Sequence, residues 1–352
     1  MLQLKSIKER PVSEWRGKKV LVRLDLDVPL RNGAVTDDFR LRRALPTLNF
    51  LLDAGADLTI IGHLGRRGES IAPVRARLVE LAGRPLRILE NLRRDGREEA
   101  NKPAFAAELA VGQEIFVNEA FAVCHRAHAS VVGLPALLPS YAGLNLQAEV
   151  ENLSRALNPP RPSLLILGGA KFETKAPLLQ KFLLFYDTIF IGGALANNFF
   201  KARGEVVGQS LVDENWEQVR PFLNEPKIKL PADKVISDDK ILDIGPQAVE
   251  ELKALIAAAK FTLWSGPLGN FENEFGAATR AVAAALAAAT ASAAAESIVG
   301  GGDTLAALAE LNLLESFTFV STGGGAMLEF LAQGGVLPGL EALAASQQKF
   351  EE

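Results

Sequence analysis

Apolar and polar positions along the chain switch between two periods. Short apolar runs of strand length, KVLVRL at 19–24, LTIIG at 58–62 and IFVNE at 115–119, alternate with segments of helical spacing near 40–53 and 72–82. Such alternation predicts βαβ units around a parallel sheet. Residues 146–157, LQAEVENLSRAL, again have helical spacing, and Asn158-Pro159-Pro160-Arg161-Pro162 stops that helix because proline has no amide hydrogen to continue it. This stop is the expected domain boundary. A second alternating series follows, with strands expected near 163–168, 187–192, 260–265, 297–300 and 317–321. The pattern predicts an α/β chain with the same architecture used twice and no sequence repeat between the halves. The tail beyond about 333 holds a Leu337-Pro338-Gly339 turn and a charged end, and reads as a frayed terminus.

Four apolar runs of the second half drive straight into glycines: LLILGG at 164–169, IFIGG at 189–193, SIVGGG at 297–302 and FVSTGGG at 319–325. In three of them the residues that follow read as the first turn of a helix, which leaves backbone N–H groups unpaired and suited to an anion. Four such turns at one sheet edge outweigh the ordinary reading of a lone Gly-Gly as a packing turn. No Walker loop, protein-kinase loop or G-x-G-x-x-G fingerprint is present.

At 352 residues the chain exceeds one typical core, and 48% hydrophobic with 23% charged residues is an ordinary globular mix. Residues 1–150 carry 22 Lys and Arg against 18 Asp and Glu, and the remainder 16 against 24, so the halves differ in sign, +4 and −8 for a total of −4. The arginines of the first half lack interleaved aromatics, which favours a small anion over nucleic acid. Cys124 is the only cysteine, so no intrachain disulfide is expected and a reducing cytoplasm is the natural setting. The N-terminus, with Lys5, Lys8, Glu9 and Arg10, is not expected to be a secretory signal. The Ala-rich tract 277–295, interrupted by Arg280, Thr290 and Ser292, reads as a soluble helix rather than a membrane span.

Lys171 follows Gly168-Gly169-Ala170, and Lys175 lies one helical turn on. Two ammonium groups at a helix start, where the dipole disfavours cations, make more sense as a phosphate grip than as a solvated face. Asp303 and Thr304 follow Gly300-Gly301-Gly302; an Asp here is ordinarily a helix cap, and the same carboxylate beside phosphates can hold Mg²⁺ through water. In the first half Asp25 and Asp27 follow one strand, His63 and Arg66 another, and Arg93 and Arg126 lie in LENLR and CHRAHAS. The arginines and His63 are placed to converge on a phosphate and a carboxylate. His125 and His128 have no accompanying carboxylate or cysteine cluster, which argues against a metal, and Cys124 reads as a small buried residue. No Ser/His/Asp, Cys/His or paired-carboxylate arrangement points to an activated nucleophile. Transfer between a phosphate oxygen and a carboxylate oxygen needs none.

VRLDLDVPL at 22–30, TDDFRLRRALPT at 36–47, GHLGR at 62–66, LENLR at 89–93, NEAFAVCHRAHAS at 118–130, LGGAK at 167–171, LDIGP at 242–246, LWSGPLGNFE at 263–272, VGGGDT at 299–304 and STGGGAMLEFL at 321–331 resemble the phosphoglycerate kinase family, in order and over almost the whole chain. The resemblance implies two Rossmann-like domains with parallel sheets and a cleft between them. The triose domain would be 1–145, a linking helix and hinge 146–162, the nucleotide domain 163–332, and the tail 333–352 would return to the first domain. It implies 3-phosphoglycerate and ATP or ADP as small-molecule substrates, Mg²⁺, a monomer, and neither nucleic acid nor membrane as partner.

Asp25, Asp27, Arg40, His63, Arg66, Arg93 and Arg126 look like the family's triose-binding set, and Arg40, Lys171, Gly324 and Gly325, with Gly323, like the groups at the transferring phosphoryl. Gly168, Gly169, Lys175, Gly193, Pro267, Glu272, Gly301, Gly302, Asp303 and Thr304 look like nucleotide contacts, Asp303 on the metal side. The chain departs from the family at Asp27 for Asn, Thr174 for Asp, Ala194 for Gly and Ser265 for Asn, is compressed over 84–93, and lacks an insertion before LDIGP. Those departures keep two rivals open: a non-catalytic binder of triose phosphate or nucleotide, and a carboxylate kinase of altered specificity.

Overall fold

In the computed structural model, which describes residues 4–66, 68–170 and 176–350 apart from the side chains of Ala176, Pro177 and Glu272, the strand-length runs form two parallel sheets. β1 (Lys19–Arg23) is the middle strand of the first; with β2 (Asp57–Ile61), β3 (Arg87–Ile88), β4 (Ile115–Asn118) and β5 (Ser140–Ala142) the order is β3-β2-β1-β4-β5. Val20 is in register with both Leu58 and Ile115. Every residue of β4 and all but the first of β1 and β2 are buried, as expected of a parallel sheet covered on both faces.

Helices α1 (Phe39–Asp53) and α2 (Ala72–Ala82) pack on one another beside this sheet. Leu41, Ala44, Leu48 and Leu51 fall on one face of α1 and are buried, in the same core as Val20, Val22, Leu58, Ile60, Val74 and Leu78. Asp38 precedes α1, and its carboxylate takes Arg42 Nε at 2.7 Å and Arg77 Nε at 2.9 Å, tying the two helices together. α3 (Pro103–Ala110) follows β3.

α4 (Leu144–Arg155) starts on a buried carboxylate: Glu119 accepts the N–H groups of Asn145 at 3.1 Å and Leu146 at 3.3 Å and the Thr47 hydroxyl at 2.8 Å. Burial pushes the Glu119 carboxyl up to about 8 although all of these groups donate to it.

The second sheet contains β6 (Ser163–Leu167), β7 (Thr188–Ile191), β8 (Ile228–Lys229), β11 (Phe261–Ser265), β12 (Glu296–Gly300) and β13 (Phe319–Ser321), in the order β8-β7-β6-β11-β12-β13. β9 (Lys234–Ser237) and β10 (Lys240–Ile244) form a separate antiparallel hairpin. The helices are α5 (Ala176–Phe185), α6 (Gly193–Ala202), α7 (Pro246–Ala258), α8 (Ala277–Ala291), α9 (Gly302–Glu310) and α10 (Gly325–Ala332). The chain divides into two compact units, Met1–Glu151 with Gly335–Glu352, and Asn152–Gly334. No helix among the described residues is long and apolar enough to cross a membrane.

The tail corrects its sequence reading: it is a helix, α11 (Pro338–Lys349), not a frayed end. Leu340 and Leu343 are fully buried, Gly339 N–H donates to the Cys124 carbonyl at 2.8 Å, and Gln347 bonds the backbone of Lys5 and Ser140. A side chain at Gly339 would meet Val131 at 2.8 Å, so only glycine lets this helix approach. The edge strands β3, β5 and β8, two or three residues each, and the hairpin carry too little periodicity to be read beforehand.

Candidate active site

Strand order places the functional edges. In the first sheet the chain runs outward from β1 to β3 and then returns on the other side at β4; in the second it runs from β6 to β8 and returns at β11. Ligands of open α/β sheets bind beyond the carboxyl ends of strands at such a reversal.

Beyond β1 come Asp25 and Asp27, beyond β2 His63 and Arg66, beyond β3 Arg93, and beyond β4 Arg126; α1 adds Arg40 from its first turn. Arg40 Nη1 lies 3.2 Å from Asp25 Oδ2 and donates to the Asp27 carbonyl at 2.9 Å. The Asp25 carboxylate holds the Arg40 guanidinium above its ordinary range, with Asp27 adding to the effect. The Asp27 carboxylate accepts Gly65 N–H at 2.8 Å and lies 3.5 Å from His63 Nε2. Burial alone would raise Asp27, but the hydrogen bonds from His63 and Gly65 outweigh it and the carboxyl sits at about 2.

Arg93 is buried, donates to the Gly65 carbonyl at 2.6 Å and pairs with Glu99 at 3.3 Å. Burial lowers its guanidinium, and the neighbouring charge of Arg126 lowers it further. Arg126 itself is exposed and donates through Nε to His125 Nε2 at 3.2 Å. A buried guanidinium depressed by a neighbouring one marks a place where an anion gains energy by entering. Arg66 lies on the loop after His63 with its side chain in solvent.

Sequence reasoning missed the support beneath this edge. Arg23, buried in β1, donates to Ser130 Oγ at 2.9 Å and lies 3.4 Å from His63 Nδ1, while Ser130 donates its own hydroxyl to the buried Glu98. The available signal was a charged residue inside an otherwise apolar strand. Cys124 is buried, and its thiol is pushed up to about 12 by that burial, far from a reactive thiolate.

In the second unit the four glycine turns divide into two kinds. Gly168 N–H donates to the Ser265 carbonyl, Gly169 N–H to Pro267 and Gly193 N–H to Leu268, so these donors are spent on neighbouring turns. A Cβ at Gly168 would meet the Pro267 carbonyl oxygen at 2.2 Å, and one at Gly193 the Gly169 nitrogen at 2.7 Å. Here the packing reading holds, and the expectation of four equivalent anion cradles is corrected. The other two turns differ. Nothing lies within 4 Å of a Cβ built at Gly302, Gly324 or Gly325, and their N–H groups have no acceptor among the described residues. Both sit at the N-termini of α9 and α10, where the helix dipole adds to the free donors.

A cavity of about 420 Å³ is lined by the packed turns at Gly169 and Gly193, by Pro267, Phe200 and Lys234, and by Asp303 of α9. Its size and largely apolar lining suit a nucleoside. Lys234 places its ammonium 3.8 Å from the Phe200 ring centre and pairs with Glu205. Asp243 of the LDIGP segment also lines the cavity; burial pushes its carboxyl up to about 6 against the pull of the Ala278 and Ile244 N–H groups.

Asp303 corrects the capping reading: α9 has no side-chain cap, and Asp303 stands exposed in its first turn at the cavity wall. Thr304 is buried, and its hydroxyl accepts Gly266 N–H at 2.8 Å, clamping the turn after β11. No group of three His, Cys, Asp or Glu among the described residues could hold a metal by itself. A single open carboxylate beside free N–H groups fits an ion held chiefly by phosphates and water, as Mg²⁺ prefers. Lys171, Thr174 and Lys175 lie outside the described residues, as does the side chain of Glu272.

The family model for phosphoglycerate kinase matches residues 12–88 and 72–334. The chain belongs to the phosphoglycerate kinase family. A phosphoglycerate kinase of Herpetosiphon aurantiacus is 40% identical, over 94% of this chain and 97% of its own. The solved phosphoglycerate kinase of Coxiella burnetii is 36% identical with a TM-score of 0.83, covering 97% of this chain and 99% of that one. That of Pyrococcus horikoshii is 27% identical with a TM-score of 0.89, covering 99% and 100%. As a member of the phosphoglycerate kinase family the chain is a phosphotransferase, and both sheets are those of Rossmann-like domains. Of its departures from the family pattern, Ala194 lines the cavity and Ser265 is buried at the end of β11.

Proposed function

We propose that the chain transfers a phosphoryl group reversibly between 1,3-bisphosphoglycerate and MgADP, giving 3-phosphoglycerate and ATP in the glycolytic direction. The observation that carries this reading is the convergence of Arg40, Arg93 and Arg126 on the carboxyl edge of the first sheet, with no activated nucleophile beside them among the described residues. A carboxylate and a phosphate oxygen are already ionised at neutral pH, so the enzyme has to neutralise and align rather than activate.

In this reading the first unit holds the triose phosphate through its arginines. The second unit holds the nucleoside in its cavity and the phosphates on the N–H groups of Gly302, Gly324 and Gly325. Mg²⁺, beside Asp303 and largely on phosphate oxygens and water, would offset the phosphate charge. Closure of the units about the linking helix aligns the substrates, and Arg40 and Lys171 stabilise the charge on the moving group.

Calorimetry separates the assignments. Arg126→Ala is expected to weaken 3-phosphoglycerate binding by about tenfold or more and leave MgADP binding intact, with the reverse for Asp303→Asn. Undiminished triose binding in Arg126→Ala would remove the first unit from the substrate.

A further inference from the structure

His63 is held from both sides by groups whose chemistry leaves it little choice. Arg23 Nη2 faces Nδ1 at 3.4 Å, and a guanidinium has only N–H groups to offer, so Nδ1 must present its lone pair. Asp27 Oδ2 faces Nε2 at 3.5 Å, and a carboxylate offers only lone pairs, so Nε2 must carry the hydrogen. Arg23 cannot turn away: it is buried, its Nη1 donates to the Leu24 carbonyl at 2.9 Å, and its Nε is fixed by Ser130, which Glu98 anchors in turn.

Resting on the reading of this edge as the triose site, we infer that Arg23 locks His63 as a neutral Nε2–H donor, and that Asp27 is a positioning residue that spends its carboxylate on His63 and Gly65, holding the loop that carries Arg66.

The geometry also shows why a carboxylate at position 27, where the family has Asn, does not repel an anionic substrate. Asp27 Oδ1 takes the Gly65 N–H, its own main-chain carbonyl takes Arg40, and its charge faces His63 and Arg40. The groups acting on His63 are Asp27 and Asp25 on one side and Arg23 and Arg93 on the other. A second proton on the ring would meet the Arg23 N–H groups head on in a buried space, consistent with a ring lowered first by burial despite Asp27. The positive charge at this edge then belongs to the arginines, and His63 gives its Nε2–H to Asp27 and adds no cation.

The test pairs a spectroscopic with a binding measurement on the full chain. Long-range ¹H–¹⁵N spectra, with His125→Gln and His128→Gln variants for assignment, are expected to show His63 protonated on Nε2 and bare on Nδ1 near neutral pH. In Asp27→Ala the ring should stay neutral to lower pH than in the parent, because the carboxylate that favours its charged form is gone. A merely structural role for Asp27 would not shift that titration. Asp27→Ala should weaken 3-phosphoglycerate binding about ten- to hundredfold with MgADP affinity unchanged, and Asp27→Asn should bind no tighter than the parent. A His63 proton on Nδ1, or tighter triose binding in Asp27→Asn, overturns the inference. If the parent chain bound no 3-phosphoglycerate at all, the triose reading would fall while the imidazole spectrum still decided the lock.

Discussion

Asp25 and Arg40 face each other at 3.2 Å across the carboxyl end of β1, one from the strand's exit and the other from the first turn of α1. Asp25 is buried and Arg40 keeps about a quarter of its side chain in solvent, so the carboxylate fixes the cation and the cation remains available to a ligand. Arg40→Ala is expected to lower turnover by about 10²- to 10³-fold, the effect of removing one preorganised donor from a charged transition state, while the nucleotide still binds. Steady-state kinetics with parallel MgADP calorimetry checks this; unchanged turnover would place Arg40 outside the chemistry.

The division of the glycine turns gives opposite expectations for one substitution. Gly168→Ala would push a methyl to 2.2 Å from the Pro267 carbonyl oxygen, a backbone atom that cannot swing aside. It should destabilise the fold by about 1–3 kcal/mol or more. Gly325→Ala meets open space in the first turn of α10, so its stability should hold or rise slightly while turnover falls. Urea unfolding beside activity reads both, and a stable Gly168→Ala would refute the packing assignment.

Acid should find a weak point at His125. Its ring is driven down to about 4, first by burial and then by the charges of Arg126 and His128. The unfolded ring protonates near 6.5, so between the two values the unfolded chain binds more protons. The contribution is fully present above about pH 6.5 and is lost as pH falls through about 4. Glu119 at about 8 and Asp243 at about 6 act in the other sense, present at low pH and lost as pH rises through those values. The comparison must therefore be between variants: His125→Gln should lose less stability than the parent between about pH 7.5 and about pH 4.5. Equal losses would show that His125 does not titrate with folding.

What the chain revealed by itself follows from where its periodicity is strong. The long strands of both sheets and helices α1, α2 and α8 stand where apolar runs and helical stripes predicted them, because each buries one continuous face or both. The tail was misread although Leu340, Leu343 and Ala344 have helical spacing; the Pro338-Gly339 pair that suggested a terminal turn begins a helix. At the candidate site, residues tied to strand ends were legible. Phe200, Lys234 and Asp243, which line the cavity, come from α6 and the two strands of the hairpin, and only the fold brings them together. Gly168 and Gly302 look alike in sequence, and only the neighbouring backbone shows that one is packed and the other open.

The most direct test of the central claim is steady-state turnover with MgATP and 3-phosphoglycerate, in the parent chain and in Lys171→Ala. Turnover on the order of 1–100 s⁻¹ is expected in the parent, with a fall of at least about 10²-fold in the variant. A parent chain that binds both substrates and turns over neither, or a variant as active as the parent, would contradict the claim.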